Sequence, residues 1–164
     1  MALKKSSKLK SITSRKAWKM IRDGIDYKTI GIEVGYTSTA IKLFAHKKYK
    51  DESETLWANE IKAIGHCEIC LKSYGLNAHH LLEKSVWTSL DRDLSNGICL
   101  CEDHHLLNPQ ISPHNNTVST EEFLDWLKVY RNGQWLWYEE HKHDRKYIAN
   151  DYELAYYELK GDIE

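Results

Sequence analysis

Apolar positions in the first third of the chain recur at helical rather than strand spacing. From Ser14 to about Asp23, Trp18, Met20 and Ile21 stand among Lys and Arg, and Gly24 ends the segment. A second helix is predicted through Ile30, Ile32 and Val34, with a turn at Gly35 and Tyr36. A Thr/Ser-capped helix through Ile41, Leu43 and Phe44 follows. Asp51 to Ile64 predicts a further helix that Gly65 can end. Beyond residue 118, Ser119 with Glu122 three residues on predicts a capping box. The helix it opens runs through Phe123, Leu124, Trp126, Leu127 and Tyr130, and Asn132 and Gly133 end it. Two more helical segments hold Trp135, Trp137, Tyr138, Tyr147, Tyr152, Tyr156 and Tyr157, aromatics that could stack on nucleic acid but read more simply as the core of a helical cover. Residues 1 to 14 are rich in Lys and Ser and poor in apolar positions, the pattern of a segment that orders only on meeting a partner.

Charge sharpens this division. The net charge of -1 over 164 residues conceals 13 Lys/Arg against three acids in residues 1–50, and 10 against 21 in the remainder. A basic arm on an acidic body suggests long-range attraction to a polyanion. The helix, Gly-containing turn and helix from Tyr27 to Lys48 resemble a helix-turn-helix, whose second helix would lie in the major groove. Plain packing of three short helices produces the same pattern. No apolar run approaches the roughly 20 residues of a membrane span, so a soluble, cytoplasmic protein without a membrane partner is expected.

Cysteine placement introduces metal chemistry. Cys67, Cys70, Cys99 and Cys101 form two tight clusters far apart in sequence, as metal knuckles do, whereas a disulfide framework would spread them more evenly. Cys67-x2-Cys70 is half of a tetrahedral zinc site, and Cys101-x2-His104 has the spacing of the other half. A competing set takes Cys99 in place of His104. Cys99 and Cys101 are two apart on an apparent strand, however, and cannot form the usual knuckle turn, so Cys99 is read as a buried free thiol.

Between and beside the knuckles stand the pairs His79-His80 and His104-His105, with Asn96 between them. Read together, HCEIC, LNAHHLLEK and LSNGICLCEDHHLLN resemble the HNH nucleases over about Cys67 to Asn108. The resemblance implies His79 as a ligand of a catalytic metal, His80 as the general base, Asn96 as the residue bracing the loop, and His105 as the second ligand. Many relatives carry a further histidine one turn later. Here Pro109 occupies that position, so Asn108 becomes the expected third ligand and His114 a poorer alternative. Lys84 and Arg92, in the loop between the expected strands, are candidate phosphate contacts on DNA. His46, His66, His141 and His143 read as surface residues.

The expected architecture is α+β: a mainly helical chain around a central zinc-stapled ββα-metal hairpin. The basic helical region takes residues 1–50, the nuclease domain 51–118 and a C-terminal helical extension 119–164. The resemblance implies hydrolysis of double-stranded DNA to 5′-phosphate and 3′-hydroxyl ends. Structural Zn2+ and catalytic Mg2+ or Mn2+ are the implied cofactors, and free-standing phage or homing enzymes are the implied relatives. The alternative is a non-catalytic zinc-dependent nucleic-acid-binding module.

Overall fold

The structure, a computed structural model, describes Leu9 and residues 11–162. The chain is mixed, mostly helical, with one small antiparallel sheet. It divides into two compact units, one of residues 1–53 with 152–164 and one of residues 54–151. Of residues 1–14, expected to order only on meeting a partner, 11–14 already belong to a helix, and all the others except Leu9 lie outside the described residues.

The first unit contains α1 (Ser11–Arg22), α2 (Tyr27–Val34), the first part of α3 (Ser38–Lys62) and, from the far end of the chain, α6 (Tyr152–Lys160). Asp26 caps α2 by accepting the backbone N–H groups of Lys28 and Thr29. Ala17, Trp18, Ile21, Ile30, Ile41, Phe44, Tyr49, Tyr152 and Tyr156 are buried here. Trp18 meets Tyr49 edge-on at 4.9 Å and Tyr156 at 6.2 Å, the favoured aromatic arrangement. The segment expected as one C-terminal cover is therefore divided. α6 clusters with the N-terminal helices, while α4 and α5 remain in the other unit.

Two helices expected before the first knuckle are one. α3 runs unbroken from Ser38 to Lys62, because that stretch holds no Gly or Pro. The pairs Lys47–Asp51 and Lys48–Glu52 also bridge successive turns at 3.6 Å.

The second unit is built on a hairpin of β1 (Leu76–His80) and β2 (Gly97–Cys101), with His79 opposite Ile98 and His80 opposite Gly97. All five residues of β2 are buried. Ile98 and Leu100 join Cys67, Cys101, Phe123 and Leu127 in the core. Phe123 and Leu127 come from α4 (Thr117–Tyr130), which is followed at once by α5 (Asn132–His141). The capping box of α4 opens three residues earlier than expected. Asn116 is the cap, accepting from the Ser119 N–H while the Ser119 hydroxyl accepts from the Asn116 N–H. Gly133 lies inside α5 rather than ending α4. Among the described residues no helix is long and apolar enough to cross a membrane.

Candidate metal centres and active site

Cys67 begins the first knuckle. Its N–H donates to the Lys72 carbonyl and its carbonyl accepts the Leu71 N–H, and Leu71 takes a left-handed conformation (φ 63°) to close so tight a turn. Glu68 ties this turn to β2: its N–H donates to the Cys99 carbonyl, and its carboxylate accepts the Cys99 N–H and pairs with Arg131 at 2.7 Å. Cys101 ends β2, and His104 enters from a π-helical turn, Asp103–Leu107.

The donor atoms of Cys67, Cys70, Cys101 and His104 all lie within 4.8 Å of one another. Cys70 Sγ is 3.8 Å from Cys101 Sγ, and His104 Nδ1 is 3.4 Å from Cys101 Sγ and 3.7 Å from Cys67 Sγ. A tetrahedron with Zn–S bonds of about 2.3 Å has edges of about 3.8 Å, so this group can hold a structural metal such as zinc. Burial raises the Cys67 thiol, but the N–H groups of Cys101, Cys70 and Ile69 outweigh it and hold the thiol below its usual range, whereas burial pushes the Cys70 thiol up to about 11. Cys99 is fully buried and outside the group, with its thiol pushed up to about 11 by burial and then by Glu68.

The π-helical turn sends consecutive histidines to different places. His105 meets His79 and His114, with ring centroids 4.7 to 5.2 Å apart across the three pairs. One donor nitrogen from each lies within 4.8 Å of the others. His114 Nε2 is 3.1 Å from His79 Nδ1. Nitrogens bound to one metal at about 2.05 Å stand about 2.9 to 3.3 Å apart, so these two can share an ion. His105 Nδ1 is buried without a hydrogen-bond partner among the described residues, a costly state. Burial, then the neighbouring His114 and His105, holds His79 well below the usual histidine range. Burial and His114 likewise lower His105. Both rings are thus neutral donors at neutral pH.

His114, not Asn108, completes this cluster. Asn108 is extended (φ −67°, ψ 119°), as a residue before proline prefers, and so leaves the turn. Its side-chain oxygen accepts the N–H groups of Gln110 and Ile111, and its amide nitrogen donates to Asp103. The loop thus redirected is fastened by buried Ser112, whose hydroxyl donates to the His105 carbonyl and accepts the His114 N–H.

His80 lies beside this cluster with its orientation fixed. Its Nε2 is 3.0 Å from the Asp91 carbonyl, and a carbonyl only accepts. The proton therefore sits on Nε2, leaving the lone pair on Nδ1. The ring stacks on Trp57 at 3.8 Å and 12°. Trp57 in turn donates from Nε1 to the Asp93 carbonyl. Gly97 makes room for this: a Cβ there would stand 2.2 Å from Ile61 Cδ1 and 2.9 Å from Trp57 Cζ2. Burial lowers His80, opposed by the Asp91 carbonyl.

Asn96 is fully buried and spans the loop between the strands. Its side chain accepts the Leu82 N–H and donates to the carbonyls of Leu82 and Leu90, and its own carbonyl accepts the Leu81 N–H. Arg92, a candidate phosphate contact or solvated surface charge from the sequence, is instead buried, with its guanidinium held by Asp91 and Glu54. Lys84 is exposed, pairs with Glu54, and lines a cleft of about 730 Å³ together with His79, His80, His105, His114 and Tyr138.

No protein-family model, curated protein or solved structure matches the chain. The functional reading therefore rests on the chain's own residues.

Trp57, Asp91 and Gly97 had no sequence signal of their own. His114 had one, a lone histidine beyond a proline, but helical spacing favoured Asn108.

Proposed function

We propose that the protein is a metal-dependent DNA endonuclease of the HNH type, with its chemistry in the cleft of the second unit. The carrying observation is the pairing of two arrangements in that cleft: a three-imidazole cluster of His79, His105 and His114, and a separate histidine, His80, held in one tautomer. A purely structural zinc module requires neither.

His80 Nδ1 takes the proton of a water aligned with a phosphodiester, and the 3′ oxygen leaves on the opposite side. The Asp91 carbonyl holds the ring for this task and stabilises it once protonated. Its lowered pKa keeps it unprotonated, and so competent as a base, at neutral pH. Asn96 keeps the two ends of the loop together, so that Asp91 and His80 face each other. Lys84, paired with Glu54, lines the cleft and can turn to a phosphate. A metal on His79, His105 and His114 would supply Lewis-acid stabilisation of the charge that builds on the phosphate and leaving oxygen. Three neutral imidazoles suit manganese, nickel or zinc better than magnesium. The group of Cys67, Cys70, Cys101 and His104 has a separate role, fastening the first knuckle to the end of β2.

The test is incubation of the purified protein with supercoiled plasmid, with and without added manganese, nickel, zinc or magnesium. Metal-dependent nicking or linearisation, lost in His80→Ala, is expected. Intact plasmid under every metal would overturn the enzyme and leave a zinc-dependent binding module.

A further inference from the structure

The first unit contributes nothing to the cleft, yet it presents a face that burial does not explain. α2 and the start of α3 approach so closely that a Cβ on Gly31 would stand 2.5 Å from the Tyr36 carbonyl oxygen and 3.3 Å from the Ser38 nitrogen. Gly35 turns the chain with φ 76°, and Thr37 caps α3 by accepting the Ala40 N–H. Helix, tight turn and helix are thereby held in one geometry. Ala40, Ile41, Phe44, Ala45 and Tyr49 of α3 point inward and are buried. Ser38, Thr39, Lys42, Leu43 and His46 occupy the other side and are exposed.

We propose that this outward face of α3 reads base edges in the major groove of duplex DNA. The inference rests on the reading of the protein as one that acts on DNA. An α-helix with its side chains is about 10–12 Å across, comparable with the width of the major groove, and the exposed stretch from Ser38 to His46 spans about two turns of it. It carries two hydroxyls that both donate and accept, one ammonium suited to guanine N7 and O6, and one branched apolar side chain suited to the thymine methyl. No described residue pairs with the Lys42 ammonium, and no acid occurs between Ser38 and Lys50. Arg15, Lys19 and Arg22 stand exposed on α1, with the charge for phosphate contacts that fix register without reading sequence.

Two other occupants fit less well. A-form RNA has a major groove too deep and narrow for a helix. A protein interface would centre on a larger apolar patch than this face, whose single large apolar side chain is Leu43, 57% exposed.

The test is selection of duplexes from a random-sequence pool by the full chain carrying His80→Ala, without added divalent metal so that nothing is cut. A recurring motif is expected. Thr39→Ala and Lys42→Ala, both exposed positions where Ala favours the helix, should each reduce the preference for the selected duplex over a scrambled one by about tenfold, or shift the motif itself. Lys19→Ala should weaken both duplexes alike. Failure to enrich any motif, an unchanged preference in the α3 variants, or equal binding of duplex RNA would overturn the proposal. Wild-type cleavage of the same duplexes separates the two readings. A motif that depends on α3 without cleavage removes the nuclease and keeps the reading face; cleavage without such a motif does the reverse.

Discussion

The indole of Trp57 lies flat against the imidazole of His80, with centroids 3.8 Å apart and planes 12° apart. Trp57 is 1% exposed, and Gly97 leaves no room for a side chain where β2 passes it. Trp57→Ala should therefore remove both the support of His80 and a large buried ring, costing about 3–5 kcal/mol. Trp57→Phe keeps a ring but loses the bond to the Asp93 carbonyl, about 1 kcal/mol, and should retain most cleavage. Gly97→Ala should resemble Trp57→Ala. Denaturant titration combined with plasmid cleavage checks all three, and a stable, active Gly97→Ala would refute the packing argument.

In the proposed mechanism the neighbours His80 and His79 have different work. His80→Ala should keep its fold and slow cleavage by about 10²–10⁴-fold, the usual share of a positioned base. His79→Ala should cut poorly through lost metal affinity, so raising manganese should partly restore it and should leave His80→Ala slow. Rates measured against manganese concentration distinguish the two, and rescue of His80→Ala alone would exchange their roles.

The third imidazole gives another contrast. His114→Ala should weaken metal binding at the three-histidine cluster by tenfold or more, a typical ligand loss. Asn108→Ala should leave the ligand set intact and act on stability, because two backbone N–H groups lose their side-chain acceptor at a cost of about 1 kcal/mol. Isothermal titration with nickel or manganese, together with thermal unfolding, reads both. A larger metal defect in Asn108→Ala would restore it as the ligand.

Metal analysis should find about one tightly held zinc per chain, released by a strong chelator with loss of tertiary structure in the second unit. A two-stranded hairpin buries too little to stand without a fastening. Cys101→Ser should reproduce the effect without chelator. Near-ultraviolet circular dichroism, rich here in Trp signals, is the measurement, and indifference to chelator would remove the structural metal.

Burial lowers His79, His80 and His105 in the folded chain. A histidine with a depressed folded pKa contributes its full stability above the unfolded value of about 6.5, and that contribution falls away as pH drops through and below it. Protons also compete with metal for the same nitrogens. Stability, metal affinity and cleavage should thus all decline together from about pH 6.5 downward. A profile flat to pH 5 would contradict the burial of these rings.

The sequence by itself determined what depends on near neighbours along the chain. Helix, turn and helix around Gly35 follow from local apolar period and glycine chemistry. The knuckles follow from Cys67-x2-Cys70 and Cys101-x2-His104, since a tight turn brings such pairs together wherever it lies. Asn96 was legible as a bracing residue through the family resemblance, and its hydrogen bonds span the loop. Tertiary structure decided what depends on distant segments meeting. A π-helical turn and a proline redirect the chain, so His114 rather than Asn108 reaches His79. Arg92 is buried because Glu54, far away in sequence, lies beside it and Asp91. Trp57 reaches His80 because Gly97, opposite His80 on the neighbouring strand, has no side chain to keep the indole away. Spacing specifies a contact only where the chain between two residues is short and regular. Where it is long, packing of the whole unit selects the partner.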